Sequence, residues 1–146
     1  MAFGSNVRTW ATAISTNADN GRKIIFRYAE ELSTTFDQAC QPVRIFIVWK
    51  YESKSGLPMS EDNQRMNQLE DMLESVLKED GFATLALVST CEGLREWTYY
   101  AKSEEEFMAR LNYALAGVPA FPIEIHIERD PNWDVYEQFK AGLKKS

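Results

Sequence analysis

Val43-Arg44-Ile45-Phe46-Ile47-Val48-Trp49-Lys50-Tyr51 is the stretch on which the fold turns. Its apolar residues Val43, Ile45, Phe46, Ile47, Val48 and Trp49 run almost without a break, and a short run of this kind suits a strand covered on both faces. A central strand is expected here. Ser53-Lys54-Ser55-Gly56-Leu57-Pro58 then breaks the pattern, and Ser60 stands where a helix N-cap should, followed by Glu61 and Asp62 in the first turn. Met66, Leu69, Leu73, Val76 and Leu77 recur at spacings of three and four, which predicts one buried helical stripe with an acidic opposite face. Gly81 is the expected stop, after Asp80.

Thr84 to Thr90 and Leu94 to Ala101 are β-rich runs joined by Cys91-Glu92-Gly93, a link short enough to force an antiparallel hairpin. Ser103 to Glu106 matches a capping box, with Phe107, Leu111, Ala114 and Leu115 on one face of the helix that follows. Val118-Pro119-Ala120-Phe121-Pro122 ends that helix, since proline cannot continue it. Ile123, Ile125 and Ile127 then alternate with Glu124, His126 and Glu128, the period of a strand with one buried and one wet face. Asp130-Pro131 reads as an N-cap with proline at the first helical position, opening a last helix in which Trp133, Tyr136, Phe139 and Leu143 form the apolar stripe. Upstream, Val7 to Ser15 and Arg22 to Tyr28 flank Asn17-Ala18-Asp19-Asn20-Gly21, whose Asn, Asp and Gly tolerate positive φ, so a hairpin is expected.

The order from Val43 to Glu128 is βαββαβ. It predicts a ferredoxin-like α+β core with both helices on one face of an antiparallel sheet. The expected organisation is a single domain over 1–146, with an N-terminal hairpin at 7–28, the core at 43–128 and a C-terminal helix at 131–143.

A chain of 146 residues with 45% hydrophobic content is enough for one core, and its many aromatic residues argue against disorder. No apolar run approaches the roughly 20 residues that span a bilayer, and the start lacks a secretory pattern, so a cytoplasmic location is expected. Cys40 and Cys91 have no His or CxxC neighbours that would lower a thiol's pKa or hold zinc. Residues 1–54 carry seven basic and five acidic side chains, whereas residues 55–146 carry nine basic and seventeen acidic. An acidic body disfavours a phosphate backbone as partner and favours a basic protein.

His126 is the one histidine, which excludes multi-histidine metal sites. Glu124 and Glu128 flank it on one strand face, where they would raise its pKa if it served as a base. Glu70 and Glu74, one helical turn apart, could chelate a hard cation, but the calcium-loop pattern of spaced Asp and Asn around a central Gly is missing. No phosphate-binding, nucleophile-elbow or zinc-protease motif occurs, so neither a metal nor a cofactor nor a catalytic residue is expected. Sheet aromatics such as Phe46, Trp97 or Tyr99 could stack on RNA bases, but they lack a basic surround.

Ser55-Gly56-Leu57-Pro58-Met59, Gln68-Leu69-Glu70-Asp71-Met72-Leu73, the run from Val88 to Tyr100, and Asp130-Pro131-Asn132-Trp133-Asp134-Val135-Tyr136 occur in this order. In this the chain resembles the bacterial domain-of-unknown-function family 695 over roughly Val43 to Phe139. The resemblance implies a ferredoxin-like domain of unassigned activity, similar in shape to ribonuclease E inhibitors and, among small acidic bacterial proteins, to immunity proteins that mask toxins. It carries over no catalytic residue.

Two functional expectations follow. The first is a non-enzymatic binding protein that neutralises a basic partner, a toxin or a nuclease, through Glu61, Asp62, Glu70, Asp71 and Glu74 on the first helix and Glu124, His126 and Glu128 on the last strand. The alternative is a small-molecule sensor or enzyme with a cleft between hairpin and core, using Tyr51, Tyr99, Tyr100, Glu96 or His126. A homodimer through an exposed strand is a further expectation, because unpaired sheet edges seek partners.

Overall fold

The computed structural model describes residues 6–143. Their architecture is mixed α+β, with a six-stranded sheet and three helices. The strands are β1 (Val7–Thr16), β2 (Lys23–Leu32), β3 (Val43–Lys50), β4 (Ala83–Cys91), β5 (Leu94–Ala101) and β6 (Ile123–Arg129). The helices are α1 (Ser60–Leu77), α2 (Glu104–Leu115) and α3 (Asp134–Leu143). The sheet order is β1-β2-β4-β5-β3-β6, and every neighbouring pair is antiparallel. β3 lies between β5 and β6, which accounts for its near-continuous apolar sequence. The N-terminal hairpin lengthens the sheet by pairing β2 with the outer side of β4.

Alternation along the strands sends their side chains to two different layers. Ile45, Ile47 and Trp49 of β3 and Trp97 and Tyr99 of β5 pack with Met66, Leu69, Leu73 and Leu77 of α1 and Phe107 and Leu111 of α2. The neighbouring Tyr100 goes the other way, into a second cluster with Trp133 and Tyr136 of the α3 segment. Its ring stacks on Trp133 at 4.1 Å, and its hydroxyl donates to Asp130 at 2.7 Å. Phe139 of α3 lies against Phe26 and Tyr28 of β2, so α3 covers the hairpin side of this second face. At the β3–β6 end the same face holds Arg44, Phe46, Glu124, His126 and Glu128.

Several local details differ from expectation, each for a physical reason. Met59, not Ser60, occupies the cap position of α1 and makes no side-chain cap bond, so Ser60 is the first helical residue. α1 ends at Leu77, and a one-turn 3-10 helix with Asp80 at φ 59° carries the chain to Gly81. Ser103 caps α2 through the Glu106 N–H, but the Glu106 carboxylate takes Arg110 at 2.9 Å, which leaves the capping box one-sided. The last helix begins at Asp134 and not at Pro131. Trp133 adopts φ 56°, and the Asp130 carboxylate reaches forward to accept the N–H groups of Asp134 at 2.8 Å and Val135 at 3.2 Å. Asp130 is therefore not the N-cap residue, but its carboxylate satisfies the first two N–H groups of the helix from across a turn. No described helix is long and apolar enough to cross a membrane.

Candidate functional site

α1 crosses the sheet so that Glu70 and Glu74, one turn apart, and Lys78 at its C-cap border a cleft facing the hairpin. β2 contributes Arg27, which sits opposite Thr12 on β1 and Val88 on β4. In an alternating strand this register fixes the side chain on the α1 side of the sheet, where Arg27 forms an ion pair with Glu70. Trp97 donates its indole N–H to the same carboxylate oxygen at 2.9 Å, so Glu70 is held by two donors. Val7, Leu77, Ala83, Leu85 and Tyr99 supply the apolar floor, and Trp10 forms the outer wall. The cavity measures about 280 Å³.

The walls are braced from behind. Asn6 donates to the Thr84 hydroxyl at 3.0 Å, Thr84 donates to Gln41 at 2.7 Å, and Gln41 donates to the Gly81 carbonyl at 2.8 Å. This chain ties the start of β1 to the end of α1 and fixes the width of the cleft at that end. Burial, and secondarily the nearby Glu70, pushes the Tyr99 hydroxyl far above its ordinary range, so it remains protonated. Burial also pulls down the pKa of the neighbouring Arg95, which bonds only neutral oxygens, Thr90 at 2.9 Å and Asn63 at 3.0 Å. Trp10 is 43% exposed, with the Arg27 guanidinium over its ring at 5.7 Å.

The residues expected to form a partner surface divide into two groups. Glu61, Asp71 and Glu74 are exposed on α1, and Asp62 is half-buried there. Glu74 pairs with Lys78 at 3.6 Å. Glu70 turns inward to Arg27 and Trp97, with only 15% of its side chain exposed. Glu124, His126 and Glu128 lie on the opposite face of the sheet. There Glu128 binds Arg44 at 2.6 Å, His126 stacks on Phe46 at 4.8 Å, and Glu124 contacts both Lys50 at 3.7 Å and His126 at 3.5 Å. The two groups do not come together. Of the polar groups expected in a cleft, only Tyr99 lines it. Tyr51 donates to the Gly56 carbonyl, Tyr100 to Asp130, and Glu96 pairs with Arg44.

Sequence reasoning did not single out Arg27, Lys78, Asn6 or Trp10 as site residues. The available signal was Trp10 itself, an aromatic on the same strand face as Thr12 and Ile14. Among the described residues no group of three or more His, Cys, Asp or Glu side chains is arranged to hold a metal ion. A family model described as a family of unknown function (DUF695) matches residues 8–140, and the chain belongs to that family. No curated protein matches the sequence.

Proposed function

We propose that this member of DUF695 is a non-catalytic binding domain on a ferredoxin-like core, and that a small molecule occupies the cleft between α1 and the hairpin. The order β6-β3-β5-β4, with α1 and α2 packed on one face, supports the ferredoxin-like description. The observation that carries the function is the cleft itself: an apolar floor, an exposed indole and a few converging polar groups, the make-up of small-ligand sites. Its charges point to the ligand's chemistry. Glu70 already accepts from two donors, which makes it a poor general base, while Arg27 uses only one of its terminal nitrogens on that carboxylate. Lys78 holds Glu74 in an exposed pair that is readily exchanged. Arg27 and Lys78 each keep donors that can turn to a ligand at the mouth, which suits a flat apolar body with a carboxylate end. Free Cys40 and Cys91 fit a reducing compartment such as the cytoplasm.

The test is thermal shift and Trp fluorescence with a panel of aromatic and aliphatic carboxylates. A ligand at 100 times its Kd adds about 2.7 kcal/mol, a melting shift on the order of 5–10 °C for a domain of this size. Lys78→Ala and Arg27→Gln should each weaken the response while leaving the unliganded protein folded. If no carboxylate raises the melting temperature, the small-molecule reading fails.

One observation favours a second reading, a neutraliser of a basic protein such as a toxin or nuclease. From Ser60 to Gly81 the chain carries Glu61, Asp62, Glu70, Asp71, Glu74, Glu79 and Asp80 against only Arg65 and Lys78. Arg65 is laid over Trp49 and Phe121. Pull-down from the native host at low and high salt tests it, because contacts between exposed charges weaken as salt screens them. Recovery of no specific partner at either salt would remove this reading.

A further inference from the structure

β1 is one of the two outer strands of the sheet, and its α1-side face carries Trp10 and Ile14, 43% and 62% exposed. Both are large apolar side chains left open to solvent, and the strand's single charge is Arg8 at one end. We propose that β1 pairs antiparallel with β1 of a second copy about a two-fold axis at Thr12, so that two sheets join into one. This goes beyond the ligand reading and does not depend on it.

The strand is self-complementary in this register. Arg8 falls opposite Thr16, Thr9 opposite Ser15, Trp10 opposite Ile14, Ala11 opposite Ala13, and Thr12 opposite itself. No charge meets a like charge, each exposed indole meets an exposed Ile of the other copy, and Thr faces Thr, a favourable cross-strand pair. Shifting the ladder by two residues either way sets Trp10 opposite Thr12 or Thr16 and loses both apolar pairs. Register shifts in the β1–β2 ladder occur only between Val7 and Trp10, so Trp10 and Ile14 stay on one face of the strand.

The second outer strand, β6, differs in carrying Glu124, His126 and Glu128 on one face, and self-pairing about its central residue His126 sets Glu124 against Glu128, carboxylate against carboxylate. The self-complementary register about Thr12 assigns the β1 edge to a second copy of this chain. The contact also bears on the cleft: Trp10 is its outer wall, and Ile14 of the second copy would back that indole and close the mouth. A ladder of one strand with two apolar pairs is a small interface, so the dimer should be reversible and depend on concentration.

The test uses the full chain with Cys40→Ser and Cys91→Ser as background. Sedimentation over a hundred-fold concentration range should give a monomer–dimer equilibrium. Ile14→Lys should weaken it at least ten-fold without changing the melting temperature, whereas His126→Lys should leave it unchanged. Opposed residues in antiparallel strands have Cβ atoms about 4.5–5.5 Å apart. Thr12→Cys should therefore form an intermolecular disulfide at least ten-fold faster than Ile14→Cys, which faces Trp10. A monomer at every concentration overturns the proposal. So does a dimer that tolerates Ile14→Lys, a dimer broken by His126→Lys, or equal cross-linking at positions 12 and 14.

Discussion

The two outer strands of this sheet meet solvent in opposite ways. β6 alternates Ile123, Ile125 and Ile127, packed toward α1 and α2, with Glu124, His126 and Glu128, which are exposed and linked to Lys50 and Arg44. β1 alternates small residues with Trp10, Thr12 and Ile14 and has no charge after Arg8. Charges on an edge strand block pairing with foreign strands. β6 is guarded in this way and β1 is not, although both are outer strands of one sheet. The difference teaches that the hairpin places the uncharged edge on the same side of the molecule as the cleft, whose wall includes its exposed Trp10.

The largest expected effect spans both ends and needs no substitution. Burial raises the hydroxyls of Tyr99, Tyr100 and Tyr136 well above the ordinary value of 10, and pushes Tyr51 up to about 12. A raised pKa in the folded state means that folding favours the protonated phenol. The stability this provides is whole below pH 10 and is lost as pH rises from 10 through 12 and beyond. Absorbance at 295 nm should therefore show the phenols of Tyr51, Tyr99, Tyr100 and Tyr136 ionising above pH 10 together with loss of the fold.

Next is a break confined to the hairpin side. Trp133 is fully buried, stacks on Tyr100, and donates to the carbonyls of Gln38 at 3.1 Å and Gln41 at 2.9 Å. Trp133→Ala should cost about 3–5 kcal/mol in urea unfolding and release the β2 amides to exchange before those of β6. Arg44→Ala probes the guarded side. Its guanidinium lies over Phe46 at 4.1 Å and binds Glu128 and Glu96, of which Glu128 is half-exposed. A loss of about 1–2 kcal/mol is expected, with exchange faster in β6 and unchanged in β1. The smallest effect is Lys50→Ala. The Lys50–Glu124 pair is exposed at both ends, and its removal should shift stability by less than about 0.5 kcal/mol.

The framework was legible wherever a period was. β3 announced itself by its unbroken apolar run, α1 by Met66, Leu69, Leu73 and Leu77, and β6 by three isoleucines two apart. What stayed hidden depends on pairs distant in sequence. Glu70 follows Leu69 at the border of the α1 stripe, and whether it faces water or protein is decided by Arg27, 43 residues upstream, and Trp97, 27 downstream. The alternation Phe26-Arg27-Tyr28 fixed the face of Arg27 but not its neighbour. Asp130-Pro131 suggested an immediate helix start because no local pattern reveals that Trp133 takes a left-handed conformation to reach its pocket beneath Tyr100. The acidic residues were visible as a total, and their division between two faces followed only from the strand order.

The bond from the Tyr136 hydroxyl to the Ala29 carbonyl joins positions 107 residues apart. It carries a timetable. A ribosome adds about 5–20 residues per second, so the hairpin leaves the tunnel about 5–20 s before the helix that clasps it exists. During that interval Phe26 and Tyr28 lack their cover, Phe139, while the outer edge of β1 is already open. Synthesis thus leaves β2 waiting for its cover while the nearly uncharged outer strand β1 beside it is already made, and under the proposed pairing neighbouring nascent copies on one messenger would meet at β1 first.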